Sequence, residues 1–183
     1  MTTIDAGAEF DRQTNNLIEL GYPGMGGLTP ERFQTLAAPL RDVAAQAGNT
    51  AYEPGTGRIP FVLVVTREVV PIERMMPRTA LRGKAKPGFV DPSFEPGSLE
   101  RFAAIEETGL TDQPVYLLSD IERGEEFCGA VPRDAMDTIT ARNRTPLTIE
   151  EGIAVITRFP EALVKNKCFS LGGSRSGDRR ATA

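Results

Sequence analysis

The sequence of 183 residues contains no histidine and no tryptophan. Without histidine, the chain alone cannot form a Ser-His-Asp or Cys-His catalytic set, or a histidine-ligated zinc, copper or iron site. It also lacks the side chain that most often changes charge near neutral pH. We therefore expect no catalytic residues of these kinds, no cofactor and no bound metal.

Cysteine and long apolar runs are also scarce. Cys128 and Cys168 are too few for a disulfide framework or a complete thiolate zinc site, so we expect two buried, reduced thiols. The longest apolar run, residues 61–65, is far shorter than the roughly 20 residues of a membrane-spanning helix. The N-terminus has neither the basic nor the apolar region of a secretory signal. These absences predict a cytoplasmic protein with no membrane partner.

Charge is unevenly distributed along the chain. The net charge is −4, whereas residues 164–183 carry five bases and one acid, so the first 163 residues sum to −8. We predict one domain over 1–163, followed by a basic C-terminal segment over 164–183. This segment could meet an anion, dock on the acidic body or extend into solvent. The acidic body disfavours nucleic acid as a partner.

The first 48 residues are predicted to form a helical hairpin. Ala6, Phe10 and Leu17 fall on one stripe over 4–20. A second helix begins at Thr29 and Pro30, which suit an N-cap and the first helical position. Pro39 is expected to kink or split it. Its predicted apolar face comprises Phe33, Leu36, Ala37, Leu40, Val43, Ala44 and Ala47.

The remaining chain alternates strands, a long irregular region and two helices. Residues 59–66 form the clearest strand, which Val69, Val70 and Ile72 extend or follow as an edge; 115–120 and 168–171 are further strands. Residues 76–114 are rich in proline and glycine, so we expect a functional lid or a partly disordered wrap with one short helix over 99–107. The predicted fold is α+β: the hairpin, a small mixed or antiparallel sheet, and helices over 132–142 and from 148 packed on it.

Several segments resemble a known family. They are PVYLLSDIERG (114–124), ARNRTPLTIEEGIAVITRFPEAL (141–163), KNKCFSLGGSRSGDRR (165–180), DAGAEFDRQ (5–13) and PFVLVVTR (60–67). Together they are similar to an actinobacterial family catalogued as a domain of unknown function, so the resemblance implies no activity. Its members commonly have cysteine where this chain has Ser176. They also continue into a segment rich in tryptophan and cysteine, which we expect this chain, ending at Ala183, to lack.

The glycine- and arginine-rich stretch over 172–180 is the first candidate site. Glycines allow backbone N–H groups to approach an anion, and arginines add bidentate phosphate contacts. The Gly-Lys-Ser/Thr ending of a Walker motif is absent. Three interpretations remain open: a solvated terminus, which we favour, a phosphate or nucleotide contact, and an arginine–carboxylate anchor.

The second candidate is the turn before the helix that begins near 148. Arg142 and Arg144 either face an anion beside that helix N-terminus or only shape the turn, and we favour the turn. Residues 21–27 are rich in glycine but follow a helix, so the strand required for dinucleotide binding is missing. Arg82, Lys84 and Lys86 form a basic patch without interleaved aromatics.

We predict a non-catalytic binding module for an unknown small anionic ligand or a protein partner. The alternative is a histidine-free enzyme, or a nucleotide- or phosphate-binding protein, that uses the C-terminal arginines. The candidate ligand-binding residues are Arg142, Arg144, Arg175, Arg179 and Arg180.

Overall fold

A computed structural model describes residues 2–46, 50–52, 56–110, 112–163 and 170–177, and its fold is α+β, as predicted. The helices in these ranges are α1 (Ala6–Glu19), α2 (Tyr22–Met25), α3 (Pro30–Gln46), α4 (Ile72–Met75), α5 (Pro132–Ala141) and α6 (Ile149–Arg158). The strands are β1 (Thr2–Ile4), β2 (Thr50–Tyr52), β3 (Arg58–Val65), β4 (Ala103–Ala104), β5 (Val115–Glu122) and β6 (Ser174–Arg175). None of the helices in the described ranges is long and apolar enough to cross a membrane.

Helices α1 and α3 form the predicted hairpin. Helix α3 begins at Pro30, and the Thr29 hydroxyl accepts a hydrogen bond from the Arg32 N–H at 3.3 Å. Arg41, in the second half of α3, lies 2.9 Å from Asp11, in the first half of α1, and its guanidinium also lies beside Gly7. The two helices are therefore antiparallel.

Most residues of the predicted apolar faces of the hairpin are buried in the core, but Val43 and Pro39 behave differently from the prediction. The buried face residues are Ala6, Phe10, Leu17, Phe33, Ala37 and Ala44. Val43, however, is 50% exposed. Pro39 lies inside α3 and does not split it, because the helix continues to Gln46. The predicted last face position and the helix stop, residues 47–49, lie outside the described residues.

Strands β3 and β5 form the central antiparallel pair, in which Phe61 lies opposite Ser119 and Val65 opposite Val115. Phe61 and Val65 pack in the cluster that contains the hairpin, whereas Val62 packs in a second cluster with residues of α6. β3 is therefore buried on both faces, as its continuous apolar sequence predicts.

One buried amide joins α1 to the sheet. The Gln13 side chain is fully buried, and its Nε2 donates to the Phe61 carbonyl at 3.2 Å. Its Oε1 accepts from the Leu63 N–H at 2.8 Å. The Gln13 amide thus makes the two hydrogen bonds with β3 that the backbone of a neighbouring strand would otherwise make.

Some predicted elements differ in the structure. Residues 66–70 form a turn instead of a strand extension, with the Val69 N–H bonded to the Thr66 carbonyl at 3.0 Å, and α4 follows Pro71. The predicted helix over 99–107 is wrong. That region comprises 3₁₀ turns at Ser98–Arg101 and Glu106–Thr108 on either side of β4, because β4 pairs with β6. Cys128 is exposed, not buried.

The predicted strand over 168–171 falls partly beyond the part of the chain that the structure describes. Residues 164–169, which include Cys168, lie outside it, and the described Ser170 and Leu171 belong to no strand. The strand of this region, β6, lies further on and pairs with β4.

The long region over 76–114 is tied to the core by Arg67. Its Nε lies 2.5 Å from the Glu150 carboxylate, and its Nη1 and Nη2 donate to the Glu100 and Phe102 carbonyls at 3.1 and 2.8 Å. Burial works to lower the pKa of Arg67, but the hydrogen bond and charge of Glu150 outweigh it and raise that pKa. This guanidinium therefore connects the irregular region to α6.

Candidate functional site

Arg142 follows α5 and is paired with Glu126. Its two terminal nitrogens lie 2.6 and 2.9 Å from the two Glu126 carboxylate oxygens. The guanidinium also lies 5.8 Å from the centre of the Phe127 ring. The hydrogen bond from Arg142 lowers the pKa of Glu126. The positive charge of Arg142 is thus already matched by a carboxylate.

Arg144 is matched in the same way by Asp120. Its Nη1 lies 2.5 Å from the Asp120 carboxylate, and its Nη2 donates to the Asp120 carbonyl. Between the two arginines, Asn143 has φ +54°, the left-handed conformation that commonly ends a helix. An anion would have to displace Glu126 and Asp120 to bind both predicted guanidiniums.

The N-terminus of α6, beside which that anion was predicted, is occupied by side chains of this chain. The Ser174 hydroxyl accepts from the Ile149 N–H at 2.9 Å. The predicted capping box forms: the Thr148 hydroxyl accepts from the Glu151 N–H, and the Glu151 carboxylate accepts from the Thr148 N–H at 2.7 Å. Three polar groups thus occupy the N–H donors of Thr148, Ile149 and Glu151, at the helix end where an anion would bind.

Glu151 is held in a buried polar contact. Its second carboxylate oxygen accepts from the Tyr116 hydroxyl at 3.0 Å. Burial raises the pKa of Glu151, against the hydrogen bonds from Thr148 and Tyr116 that lower it. Burial also raises the pKa of Tyr116, and the charge of Glu151 adds to this effect. These groups support α6 from within the protein.

Residues 171–175 dock against 146–152, and we call this packed region the C-terminal junction. A Cβ added to Gly173 would lie 2.4 Å from the Pro146 carbonyl oxygen, so only glycine fits there without a backbone shift. A Cβ on Gly152 would lie 2.3 Å from a methyl group of Leu171. The described part of the stretch over 172–180 is therefore a packed structure instead of the solvated terminus that we favoured.

The remaining predicted arginines lie in the same stretch. Arg175 belongs to β6, and its backbone is paired with Ala103. Its Nε is buried and has no hydrogen-bond partner among the described residues. Arg179 and Arg180 lie outside the described residues, so their role in binding an anion stays a prediction.

A shallow cleft, widely open to solvent, lies elsewhere, between the glycine-rich connection that follows α1 and the chain around α4. We call it the arginine cleft. Its volume is about 600 Å³. Its lining residues are Gly21, Gly24, Met25, Glu73, Arg74, Pro77 and Arg78. A Cβ added to Gly21 or Gly24 would meet no atom within 4 Å, so both glycines face open space.

The arginine cleft presents two guanidiniums that no carboxylate of the described residues pairs with. Arg74 donates to the Met25 carbonyl at 3.1 Å, and neither it nor Arg78 forms an ion pair with any described residue. The one carboxylate of the lining, Glu73, accepts from the Gly97 N–H at 2.5 Å. The cleft is thus positively charged, and both cations are exposed.

Two buried side chains lie near the cleft. Tyr22, between the two lining glycines, is 2% exposed, and burial raises its pKa against the charges of Arg158 and Arg78. Arg158 is 5% exposed and donates to the Asn16 side chain, and its Nε has no partner in the described chain. Burial, assisted by the charge of Arg12, lowers the pKa of Arg158 to about 10. The positive charges of Arg158 and Arg78 thus both favour the ionised form of the Tyr22 phenol.

Sequence reasoning missed this cleft because its halves are about fifty positions apart. It identified the glycines of 21–27 but judged them by the strand-and-helix context of dinucleotide binding. Arg74 and Arg78 stand four positions apart after a proline that precedes a helix, a spacing that places two side chains on one side of a helical turn. That spacing was the available signal.

The chain belongs to a family of unknown function, DUF5701, which matches residues 16–183. This confirms the resemblance at the level of a domain of unknown function. No curated protein and no solved structure gives a significant match to the chain. Function must therefore be argued from the site itself.

Proposed function

We propose that this protein is a non-catalytic binding module whose ligand is a small anionic molecule held in the arginine cleft. The observation that carries the proposal is the pair of exposed guanidiniums of Arg74 and Arg78, which form no ion pair with a described residue, beside a cleft of about 600 Å³. Guanidinium groups bind phosphate and carboxylate through paired, charge-assisted hydrogen bonds.

The cleft wall also suits a ligand with an organic part. Met25 and Pro77 supply apolar surface, and the open faces of Gly21 and Gly24 allow a ligand to approach the backbone. Because a lone phosphate would fill only a small part of this volume, we propose a phosphorylated or carboxylated organic molecule. Glu73, the one carboxylate of the lining, accepts the Gly97 N–H through one of its two oxygens.

Calorimetric titration with inorganic phosphate, pyrophosphate and citrate tests this proposal. We expect at least one anion to bind, and Arg78→Gln to weaken that binding about tenfold, because a charge-assisted hydrogen bond contributes about 1.5–3 kcal/mol. Gly24→Leu is expected to block the cleft, and its Cβ would meet no protein atom within 4 Å. Arg133→Gln, on the exposed surface of α5, is the matched control. The proposal fails if none of the three anions binds, or if Arg78→Gln binds as the natural chain does.

One observation favours the alternative, a nucleotide- or phosphate-binding protein that uses the C-terminal arginines. The Nε of Arg175 is buried without a partner among the described residues, which leaves a donor for a ligand oxygen. Arg175→Gln in the same titration separates the two sites. Under this alternative, Arg175→Gln weakens pyrophosphate binding and Arg78→Gln does not.

A further inference from the structure

The segment over 81–110 contains most of the exposed large apolar side chains of the described structure. Large hydrophobic side chains are exposed at six places in the described structure, and four lie in this segment. Leu81 is 42% exposed, Phe89 60%, Phe94 38% and Leu110 37%. Exposed apolar side chains mark an interaction surface when they form one patch.

Charge divides the same segment in two. Its first half, residues 81–90, carries Arg82, Lys84 and Lys86 and no acid. These three cations form no ion pair with any described residue, and the Lys86 ammonium lies 5.1 Å from the centre of the Phe89 ring. The basic half is held as a loop by the pairing of Ala80 with Pro87.

The second half is acidic. Residues 91–110 carry Asp91, Glu95, Glu100, Glu106 and Glu107 against the single base Arg101. Glu95 is 85% exposed, and its contact with Arg101 is long, at 3.8 Å. Phe94 stands between the first two acids and packs edge-on against Phe102 at 6.0 Å. Apolar residues therefore lie beside both signs of charge.

From this arrangement we infer that the segment over 81–110 binds a second copy of this chain. A two-fold axis places the same patch of both copies face to face. When the axis passes between a basic and an acidic half, each half meets its opposite in the partner. Leu81, Phe89 and Phe94 then lie in the apolar centre, with charge at the rim.

The alternating charge favours a protein surface over other anionic partners. An anionic membrane or a nucleic acid would attract Lys86 but repel Asp91 and Glu95, which stand within nine positions of it. A second copy of the chain presents an acidic part to the basic part of the first copy, and a basic part to its acidic part. This inference does not depend on the arginine cleft, which uses other residues.

Analytical ultracentrifugation over a range of protein concentrations tests the inference. We expect the full chain to form a dimer that weakens as salt is added. Two charge reversals are informative: Arg82→Glu with Lys84→Glu and Lys86→Glu, and Asp91→Lys with Glu95→Lys. Each is expected to be monomeric alone, because its two halves then carry the same sign. An equimolar mixture of the two variants is expected to restore a dimer.

Two further variants keep the experiment decisive. Phe89→Ser removes an exposed side chain, so it leaves folding intact by circular dichroism and weakens the dimer about tenfold or more. Val131→Asp, at an equally exposed residue outside the segment, leaves the dimer unchanged. A natural chain that stays monomeric at every concentration overturns the inference, as does a dimer that survives Phe89→Ser. A monomer that floats with phosphatidylserine vesicles overturns it in favour of a membrane surface.

Discussion

The C-terminal junction and the arginine cleft both combine glycine with nearby arginine, but their glycines face opposite surroundings. At the junction, a Cβ on Gly173 would lie 2.4 Å from a backbone oxygen. In the cleft, a Cβ on Gly21 or Gly24 would meet nothing within 4 Å. The first glycine admits the protein's own backbone, whereas the other two leave room for a ligand.

The arginines of the two regions also differ, in whether a carboxylate pairs with them. Arg142 and Arg144, which lead into the junction, are each matched by a carboxylate within 2.6 Å. Arg74 and Arg78 have no such partner among the described residues. The two arginines that lead into the junction are thus paired within the protein, whereas the two arginines of the cleft remain available to a ligand.

The largest expected effect is that of Gly173→Ala. Because the added methyl group would meet backbone atoms, which cannot rotate away, we expect a loss of about 3 kcal/mol of stability in urea unfolding. Gly152→Ala is expected to cost clearly less, since it meets only a flexible Leu171 methyl group and gains helix propensity. Equal stability of Gly173→Ala and the natural chain would contradict the close packing of the junction.

Next in size is Ser174→Ala. The change removes the acceptor of the buried Ile149 N–H at the start of α6, so we expect a loss of about 1–2 kcal/mol. The same unfolding measurement checks it. Ser176→Ala, two positions on, is the control and is expected to have little effect. A cost of Ser174→Ala no larger than that of Ser176→Ala would mean that the hydroxyl does not cap α6.

A smaller effect is expected from Glu151→Gln, and it depends on pH. Burial raises the pKa of Glu151 above 4.5, so the folded protein holds this proton more tightly than the unfolded chain. As the pH rises from 4.5, the carboxyl group therefore lowers the free energy of unfolding, until it is ionised in both the folded and the unfolded chain. Glutamine keeps an acceptor for the Thr148 N–H but does not titrate.

We accordingly expect the stability of Glu151→Gln, relative to the natural chain, to rise between pH 4.5 and neutrality. Urea unfolding at the two pH values measures it, and Glu107→Gln on the exposed surface is the control. A stability difference that stays constant or falls over this interval would show that burial does not raise the pKa of Glu151.

The smallest stability effects come from the arginines. Arg142→Gln breaks an exposed ion pair and is expected to cost no more than about 1 kcal/mol. Arg78→Gln breaks no ion pair with a described residue and is expected to leave the melting temperature unchanged. Added pyrophosphate sharpens the contrast: it is expected to raise the melting temperature of Arg142→Gln but not that of Arg78→Gln. The reverse pattern would place the anion at the C-terminal arginines.

The sequence predicts those structural elements that depend only on residues close to one another in the chain. The capping box of Thr148 and Glu151, the start of α3 at Pro30 and the buried strand β3 each follow from a local pattern. The turn over 66–70 was missed because apolar residues can be buried in a turn as well as in a strand. The helix expected over 99–107 was wrong because β6, seventy positions later, pairs with β4 instead.

The candidate site was less predictable than the fold. Arg142 and Arg144 stood out by residue type, but the carboxylates that match them, Glu126 and Asp120, are sixteen and twenty-four positions earlier in the chain. Single-sequence patterns do not show which arginine has such a partner. They also do not show open space, which is what distinguishes Gly24 from Gly173.

The contact between Gln13 and β3 has a consequence for solubility. On the side away from β5, β3 offers the Phe61 carbonyl and the Leu63 N–H to whatever comes next, and the amide of Gln13 takes both. A continuously apolar, β-branched strand with a free edge is the kind of segment that recruits other chains into intermolecular sheets. Helix α1 thus protects this edge through one glutamine, and partial unfolding of α1 would expose the most aggregation-prone segment of the protein.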